Sequence, residues 1–221
     1  MSAESTVRDG VGAGFDLIET MRWEPAAGFV RFDRHLARLY ASARELGFRY
    51  DPQRIGETLK AAVADPAKLL RTRLVLSADG DMHASTQPYE PLSPSKVWNV
   101  RIARIHLSSA DPLVRHKTSR REIYMKARAE YQVQQADEMI LLNERGEICE
   151  GTITNIFLDT GDGTLVTPAL ACGLLPGVLR AELLDTGRAS EAVVNPADLA
   201  DAKALFVGNS LRGLIPARLA G

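Results

Sequence analysis

The chain of 221 residues carries 27 lysines or arginines against 28 aspartates or glutamates, a formal net charge of −1. This balance excludes the broad positive field with which proteins attract nucleic acid or anionic membranes. No apolar run approaches the roughly 20 residues that cross a bilayer, and the N-terminus lacks the charged-then-apolar order of a signal peptide. Cys149 and Cys172 suit a reducing compartment and fit no metal-ligand spacing. We therefore expect a cytoplasmic protein that binds no metal, nucleic acid or membrane.

The first part of the chain predicts two strands followed by a helix. Residues 1–14 are polar and Gly-rich, and we expect them to be frayed. Strand patterns follow at 15–21 and 28–32. Asp33 is expected to cap a helix whose apolar residues recur at helical spacing, and Gly47 is expected to end it. Arg38, one residue before an apolar position of this helix, is by itself best explained as a solvated arginine.

A second helix, a hairpin and a further strand follow. The pair Asp51-Pro52 predicts a helix start, because proline is favoured at the first helical position. The turn pair Asp79-Gly80 separates strand patterns at 69–77 and 82–89, which predicts a hairpin. After a segment broken by prolines, another strand is expected at 97–105.

A short polar connection then separates two halves of the chain, each rich in helix and strand patterns. We place a small N-terminal α/β domain at 1–106, an interdomain linker at 107–115 and a larger C-terminal domain at 116–221.

Lys117 lies just after this connection, in the segment V-R-H-K-T-S-R-R-E-I-Y. A lysine can attack a carbonyl only where its amine loses a proton, in a desolvated site or beside other positive charge. The neighbouring histidine and arginines supply such charge. A basic run of this kind is nevertheless usually a solvated helix start, and a helix is expected over 119–135.

The most informative stretch runs from Met139 to Leu184. Turn pairs separate three strand patterns, and the middle one alternates with a period of two. This alternation predicts one long strand with Glu150, Thr152 and Thr154 on the same face. An ordinary hairpin with a solvated glutamate would show the same pattern.

Two later segments are able to bind an anion. The turn Pro176-Gly177 opens a helix at Val178, and the free N–H groups at the start of a helix attract negative charge. Further on, a strand at 188–194, a short helix from Asn195 and a buried strand from Ala204 are expected, the last ending in the loop G-N-S-L-R-G. That loop is rich in backbone donors and could bind phosphate or carboxylate, although a plain turn explains it equally well.

The spacing E-G-T-I-T-N-I-F, followed by T-P-A-L-A-C-G-L-L-P-G-V-L-R, resembles the core signature of the class IV aminotransferase family. These are the fold-type IV pyridoxal-phosphate enzymes: branched-chain and D-amino acid aminotransferases, and 4-amino-4-deoxychorismate lyase. The resemblance extends from Phe15 to Arg218 and implies the two-domain fold of the D-amino acid aminotransferases, mixed α+β or α/β, shortened at both termini.

The resemblance also implies the role of each candidate residue toward pyridoxal 5'-phosphate. Lys117 would carry the cofactor and move protons, and Glu150 would keep the pyridine nitrogen protonated. Other cofactor contacts would come from Arg38, the Val178 and Leu179 amides, Ser210 and Leu175. Residues on the substrate side would be Thr154, Leu211 and Arg212.

The sequence departs from the aminotransferase members at two positions. Those members place a tyrosine five residues beyond the lysine, where this chain has Glu122. Tyr124 is close by, but on a helix it is expected to face elsewhere. They also carry a threonine at the position of Leu179, so the backbone alone would have to bind the phosphate there.

Three functions therefore stay open. The motifs HKT, LLPGVLR and NSLRG are most similar to 4-amino-4-deoxychorismate lyase, which releases pyruvate and leaves 4-aminobenzoate, a folate precursor. The alternative is an aminotransferase for branched-chain or D-amino acids that uses 2-oxoglutarate. The segment Ala78-Asp79-Gly80-Asp81-Met82-His83 lacks the arginine-histidine pair of the D-specific type. A third possibility is a degenerate, non-catalytic binding protein. The resemblance further implies a homodimer whose subunits complete each other's cofactor pocket.

Overall fold

The computed structural model describes residues 14–220, so that the N-terminal segment expected to be frayed lies, apart from Gly14, outside the described residues. The chain divides into two units. The first comprises Met1–Pro91 with His116–Arg120, and the second comprises Leu92–Arg115 with Arg121–Gly221.

The first unit is built on a four-stranded sheet in the order β2-β1-β3-β4. Every neighbouring pair is antiparallel. The hairpin predicted around Asp79-Gly80 is present, and Gly80 has a φ of 91°, a conformation that favours glycine. The strands are β1 (Leu17–Glu24), β2 (Gly28–Phe29), β3 (Leu70–Leu76) and β4 (Met82–Pro88).

The described part of this unit also contains two helices, α1 (Phe32–Leu46) and α2 (Pro52–Ala61). Gly47 ends α1 in the left-handed conformation, as predicted. The N-cap of α1 is Arg31, and Asp33 instead lies in the first turn. The prediction for α2 is confirmed, since the Asp51 carboxylate accepts hydrogen bonds from the backbone N–H groups of Gln53 and Arg54.

The second unit is built on an eight-stranded mixed sheet in the order β10-β9-β8-β11-β12-β5-β6-β7. Its central strands are buried on both faces. In β6, Ile140 and Leu142 pack into one core while Met139 and Leu141 pack into another, which explains the unbroken apolar run there. The strands are β5 (Trp98–Leu107), β6 (Glu138–Asn143), β7 (Ile148–Gly151), β8 (Asn155–Asp159), β9 (Leu165–Pro168), β10 (Ala189–Ala192), β11 (Ala204–Asn209) and β12 (Gly213–Leu219).

Up to residue 220, three helices accompany this sheet: α3 (Glu122–Arg128), α4 (Val178–Asp185) and α5 (Pro196–Asp201). The helix expected over 119–135 is thus confined to α3. Single 3₁₀ turns lie at Pro112–Arg115 and Leu170–Cys172. Among the helices of residues 14–220, none is long and apolar enough to cross a membrane.

The observed units differ from the predicted domain boundaries: residues 107–115, predicted as a linker, are part of the second unit, and two further segments belong to the opposite unit from the one predicted. β5 was assigned to a domain at 1–106, but it pairs with β6 and β12 in the second sheet. Residues 116–120, assigned to the second domain, belong to the first unit because Thr118 bridges to Leu17 of β1. In both cases the unit is set by strand pairing between segments distant in sequence, and such pairing cannot be read from local sequence patterns.

The long strand predicted around Glu150 is interrupted, and its interruption is the main correction to the sequence analysis. β7 ends at Gly151 and β8 begins at Asn155, so the residues between them form a turn. The prediction that Glu150, Thr152 and Thr154 share one strand face is therefore wrong.

A buried carboxylate holds this turn. Glu138 is fully buried, and it accepts hydrogen bonds from the Thr152 backbone N–H at 3.0 Å and the Ile153 N–H at 3.1 Å. The hydroxyls of Thr152 and Thr154 donate to the same carboxylate, at 2.5 and 3.0 Å. Such a set of donors compensates the cost of burying the charge.

We expect Glu138→Gln to destabilise the second unit by about 3 kcal/mol, because an amide cannot accept all of these hydrogen bonds. Chemical denaturation measures the loss. Glu122→Gln, which changes an exposed glutamate of α3 in the same way, is the matched control and should change stability by less than about 0.5 kcal/mol. Equal stability of the two variants would contradict this role of Glu138.

Candidate functional site

Arg38, the predicted phosphate-binding arginine, belongs to a buried charged network of the first unit. Its Nε and Nη2 donate to the two oxygens of Glu19 at 2.8 and 2.7 Å. His35, one helical turn earlier on α1, lies with its Nδ1 2.6 Å from Glu19 Oε2. The paired bonds fix the plane of the Arg38 guanidinium, whereas a solvated arginine would be free to rotate.

Glu19 remains ionised in this setting. Burial acts to raise the pKa of its carboxyl, but the Arg38 charge and the His35 hydrogen bond outweigh burial and lower the pKa from 4.5 to about 2. Glu19 is 1% exposed and lies on β1, so that the strand supplies a permanent negative charge against α1.

Lys117, the predicted cofactor lysine, is held on the same strand. Its backbone carbonyl accepts a hydrogen bond from the Ile18 N–H at 2.8 Å, and Ser119 N–H donates to the Asp16 carbonyl at the same distance. The residue before it, His116, is buried, with its Nδ1 2.9 Å from Ser42 Oγ of α1. These contacts fix the backbone on both sides of Lys117.

The first unit therefore brings two predicted residues to neighbouring positions of β1. Ile18 binds the Lys117 backbone, and the next residue, Glu19, binds the Arg38 side chain. The basic segment around Lys117 is not a helix start, since α3 begins only at Glu122.

Glu150, the predicted partner of the pyridine nitrogen, is a buried residue of β7, 4% exposed. Its Oε1 accepts a hydrogen bond of 2.8 Å from the Tyr124 hydroxyl. Burial, reinforced by the negative charge of Glu150, raises the pKa of the Tyr124 phenol far above its usual value. Glu150 is thus not the solvated glutamate of an ordinary hairpin.

Thr154, assigned by resemblance to the substrate side, is 4% exposed, and its hydroxyl donates to Glu138. This contact gives Thr154 a structural role in the turn after Glu150. A part in substrate binding stays a prediction.

The first of the two predicted anion-binding segments lies at the start of α4. Gly177 is the N-cap residue, and no side chain caps the first turn that holds Val178 and Leu179. Asn155 of β8 holds the preceding loop through its Nδ2, which donates to the Leu175 carbonyl at 3.0 Å. A Cβ at position 177 would lie only 1.8 Å from Asn155 Oδ1, so the loop fits closely only around a glycine.

The remaining candidates lie in the turn between β11 and β12. Ser210 and Leu211 are buried, at 6% and 4% exposure, and the Arg212 N–H donates to Asn209 Oδ1 at 3.0 Å. The Asn209 side chain also donates to the Ile153 carbonyl at 3.1 Å. The Arg212 guanidinium lies 5.8 Å from the centre of the Trp98 ring.

Within the second unit, the turn after Glu150 is thus hydrogen-bonded to the segment between β11 and β12. It also lies next to Asn155, which holds the loop that opens α4. Asn209 bonds that turn to the loop of Ser210 and Arg212, and Asn155, the first residue after the turn, bonds the loop that opens α4. Convergence of Lys117 and Glu150, which belong to different units, on one cofactor stays a prediction.

Sequence reasoning missed four residues that support the candidates: Glu19, Tyr124, Glu138 and Asn155. Tyr124 was expected to face elsewhere on its helix, yet it contacts Glu150. Asn155 offered a usable signal, because an asparagine at an apolar position of a strand pattern needs hydrogen-bond partners when buried. Glu138 gave a similar signal, since it is a carboxylate directly before the apolar run of β6. Glu19 gave no such signal, because β1 also contains Thr20, Arg22 and Glu24.

Comparison with known proteins adds a family and several relatives. Residues 16–220 match the model of the family described as amino-transferase class IV. A Schizosaccharomyces pombe protein named "Putative aminodeoxychorismate lyase" is 30% identical over 80% of this chain and 79% of its own length. A Thermotoga maritima protein named "Probable branched-chain-amino-acid aminotransferase" is 28% identical over 90% of this chain and 75% of its own length.

A crystal structure from Mesorhizobium loti is similar over nearly the whole chain. It is named "Putative amino-acid aminotransferase" and superposes with a TM-score of 0.92 at 66% identity, covering 94% of this chain and 100% of that one.

The Glu19 network predicts a pH dependence of stability. Because folding lowers the pKa of Glu19 from 4.5 to about 2, its contribution is complete above pH 4.5 and is lost as the pH falls toward 2. We expect Glu19→Gln to lower the stability at pH 7 by about 3 kcal/mol and to flatten the loss below pH 4.5. Denaturation at pH 7, 4.5 and 3 measures both effects.

Glu57→Gln, at an exposed position of α2, is the control and should leave the pH profile as in the unchanged protein. The interpretation is wrong if Glu19→Gln loses stability below pH 4.5 as steeply as the unchanged protein.

Proposed function

The chain belongs to the class IV aminotransferase family, whose members are pyridoxal-phosphate-dependent enzymes, and within this family we propose that it is a 4-amino-4-deoxychorismate lyase. The reaction would release pyruvate and 4-aminobenzoate, and would place the enzyme in folate biosynthesis. The fold is that of the fold-type IV enzymes.

The residues present fit pyridoxal 5'-phosphate. The buried Glu150 carboxylate suits a protonated pyridine nitrogen, and the start of α4, without a side-chain cap, suits a phosphate. Arg38 adds a guanidinium whose orientation Glu19 fixes. When bound, the cofactor supplies an electron-withdrawing ring that stabilises negative charge on the substrate carbon beside the amine.

The chain's own residues then have distinct tasks. Lys117 takes the proton from the carbon that carries the substrate amine and returns a proton as the pyruvate group departs. Glu150 would keep the pyridine nitrogen protonated. Leu175 would pack against the ring, and Arg38, the Val178 and Leu179 amides and the Ser210 hydroxyl would hold the phosphate.

The substrate carboxylates would be bound by the turn between β11 and β12. Leu211 contributes backbone there and Arg212 contributes positive charge, where many aminotransferases have a small residue. Thr154 would lie on the same side.

The observation that carries the lyase assignment is the set of motifs HKT, LLPGVLR and NSLRG, which are most similar to 4-amino-4-deoxychorismate lyase. Two positions depart from the aminotransferase members. An exposed glutamate stands at position 122 in place of their cofactor-binding tyrosine, and a buried leucine stands at position 179 in place of their threonine. The S. pombe relative, named as a lyase, supports the assignment independently.

An aminotransferase is the second candidate, and two relatives favour it. The Mesorhizobium loti protein, 66% identical, is named as an amino-acid aminotransferase, and the Thermotoga maritima relative is named for branched-chain amino acids. A transaminase would pass the amino group of such a substrate to 2-oxoglutarate.

We expect the purified protein to be yellow, and borohydride should fix the cofactor on the peptide that contains Lys117. With aminodeoxychorismate and no keto acid, it should release 4-aminobenzoate and pyruvate in equal amounts. Lys117→Ala should lower the rate by at least about a thousandfold, and Glu150→Gln by about a hundredfold.

Lys126→Ala, at an exposed lysine of α3, is the matched control and should keep full activity. Turnover that requires 2-oxoglutarate and a branched-chain amino acid would replace the lyase by the second candidate. A colourless protein that takes up no cofactor would instead favour a degenerate binding protein.

We also propose a cytoplasmic homodimer in which each subunit completes the other's cofactor pocket, as the family resemblance implies. The two cysteines, both free and buried, are compatible with a reducing compartment. Light scattering of the active protein should give a mass of about twice 24.1 kDa. A fully active monomer would contradict the proposal.

A further inference from the structure

Tyr124, which lies outside the predicted set, makes a direct contact with a proposed cofactor ligand. Its hydroxyl donates to Glu150 Oε1 at 2.8 Å, and both partners belong to the second unit. Glu150 is buried, so this hydrogen bond to a carboxylate is shielded from water and gains strength from its surroundings.

Arg121 fixes the phenol ring from one face. Its guanidinium carbon lies 4.5 Å from the centre of the Tyr124 ring, a cation–π geometry. The Arg121 Nη2 also donates to the Thr152 carbonyl, in the turn that follows Glu150. The ring is thereby tied both to α3 and to the chain segment that carries the carboxylate.

The Tyr124 phenol keeps its proton, and so can donate, above the pH at which a tyrosine ordinarily ionises. Burial and the neighbouring Glu150 charge raise the pKa of Tyr124 and outweigh the opposite effect of Arg121. Cys149, beside Glu150 on β7, also has its pKa raised, by burial first and then by Glu150, so it remains a neutral thiol. A hydrogen bond donated to a carboxylate favours the ionised form.

We propose that Tyr124 is a positioning residue for Glu150, which orients the carboxylate and keeps it ionised toward the pyridine nitrogen of the cofactor. The inference rests on the proposed use of pyridoxal phosphate. It holds equally for the lyase and the aminotransferase, because both need a protonated ring.

A purely structural tyrosine is the alternative, and the chain offers one for comparison. Tyr131 packs against the same core of the second unit, and its ring lies 4.6 Å from the Arg101 guanidinium carbon. Replacing either tyrosine by phenylalanine removes one hydroxyl and keeps the ring, so that packing losses are matched.

The test compares Tyr124→Phe with Tyr131→Phe in the loaded protein and in the protein freed of cofactor. In the cofactor-free protein, carbon-13 NMR of the Glu150 carboxylate, assigned through Glu150→Gln, should show a changed signal for Tyr124→Phe only. In the loaded protein, the pH at which the cofactor absorption changes should shift for Tyr124→Phe only. The kcat of this variant should fall about tenfold, with KM within about twofold.

The outcomes separate this inference from the proposed function. If the unchanged protein binds pyridoxal phosphate but the two variants have the same spectra and kcat, Tyr124 is structural and the inference is overturned. If the unchanged protein binds none, the proposed function fails and the inference fails with it.

Discussion

The buried carboxylate of Glu138 is the constraint on which the arrangement of the second unit depends. By accepting hydrogen bonds from the turn between β7 and β8, it ends one strand directly after Glu150 and starts the next at Asn155. β7 then pairs with β6, whereas β8 pairs with β9 and β11. The turn therefore places Glu150 and Asn155 on two different strands.

The first unit uses the same principle on β1. Glu19 is a buried carboxylate of β1, and its charge is stabilised by Arg38 and His35 of α1. In both units, then, a buried acid joins a strand to a neighbouring element by charged hydrogen bonds. Such groups cost free energy to bury, and they fix geometry more strictly than apolar packing does.

Local signals in the sequence predicted much of the fold correctly. Gly47 and Asp51 mark helix ends through chemistry that acts over a few residues, and the Asp79-Gly80 hairpin is equally local. The strand β12 was not predicted, because Pro216 lies within it. It is tolerated there since pairing of β12 with β5 begins only at Ala217.

Candidate residues could be predicted where a local sequence motif identifies them. Their positions could not be predicted where a contact with a residue distant in sequence sets the geometry. Period-two alternation placed Thr154 beside Glu150, and only the buried Glu138, sixteen residues before Thr154, redirects it. Tyr124 could not be assigned from helical spacing, since its hydrogen bond to Glu150 depends on how α3 packs against β5 and β6.

The placement of residues 116–120 limits how this chain can be divided. Their backbone bonds to β1, although β5 of the other sheet lies between them and Pro91 in sequence. A gene fragment that ended at Pro91 would therefore encode β1 without the segment that lies along it. Recombination could not exchange either half as an independent module, because the lysine and the strand that anchors it are encoded on opposite sides of any such junction.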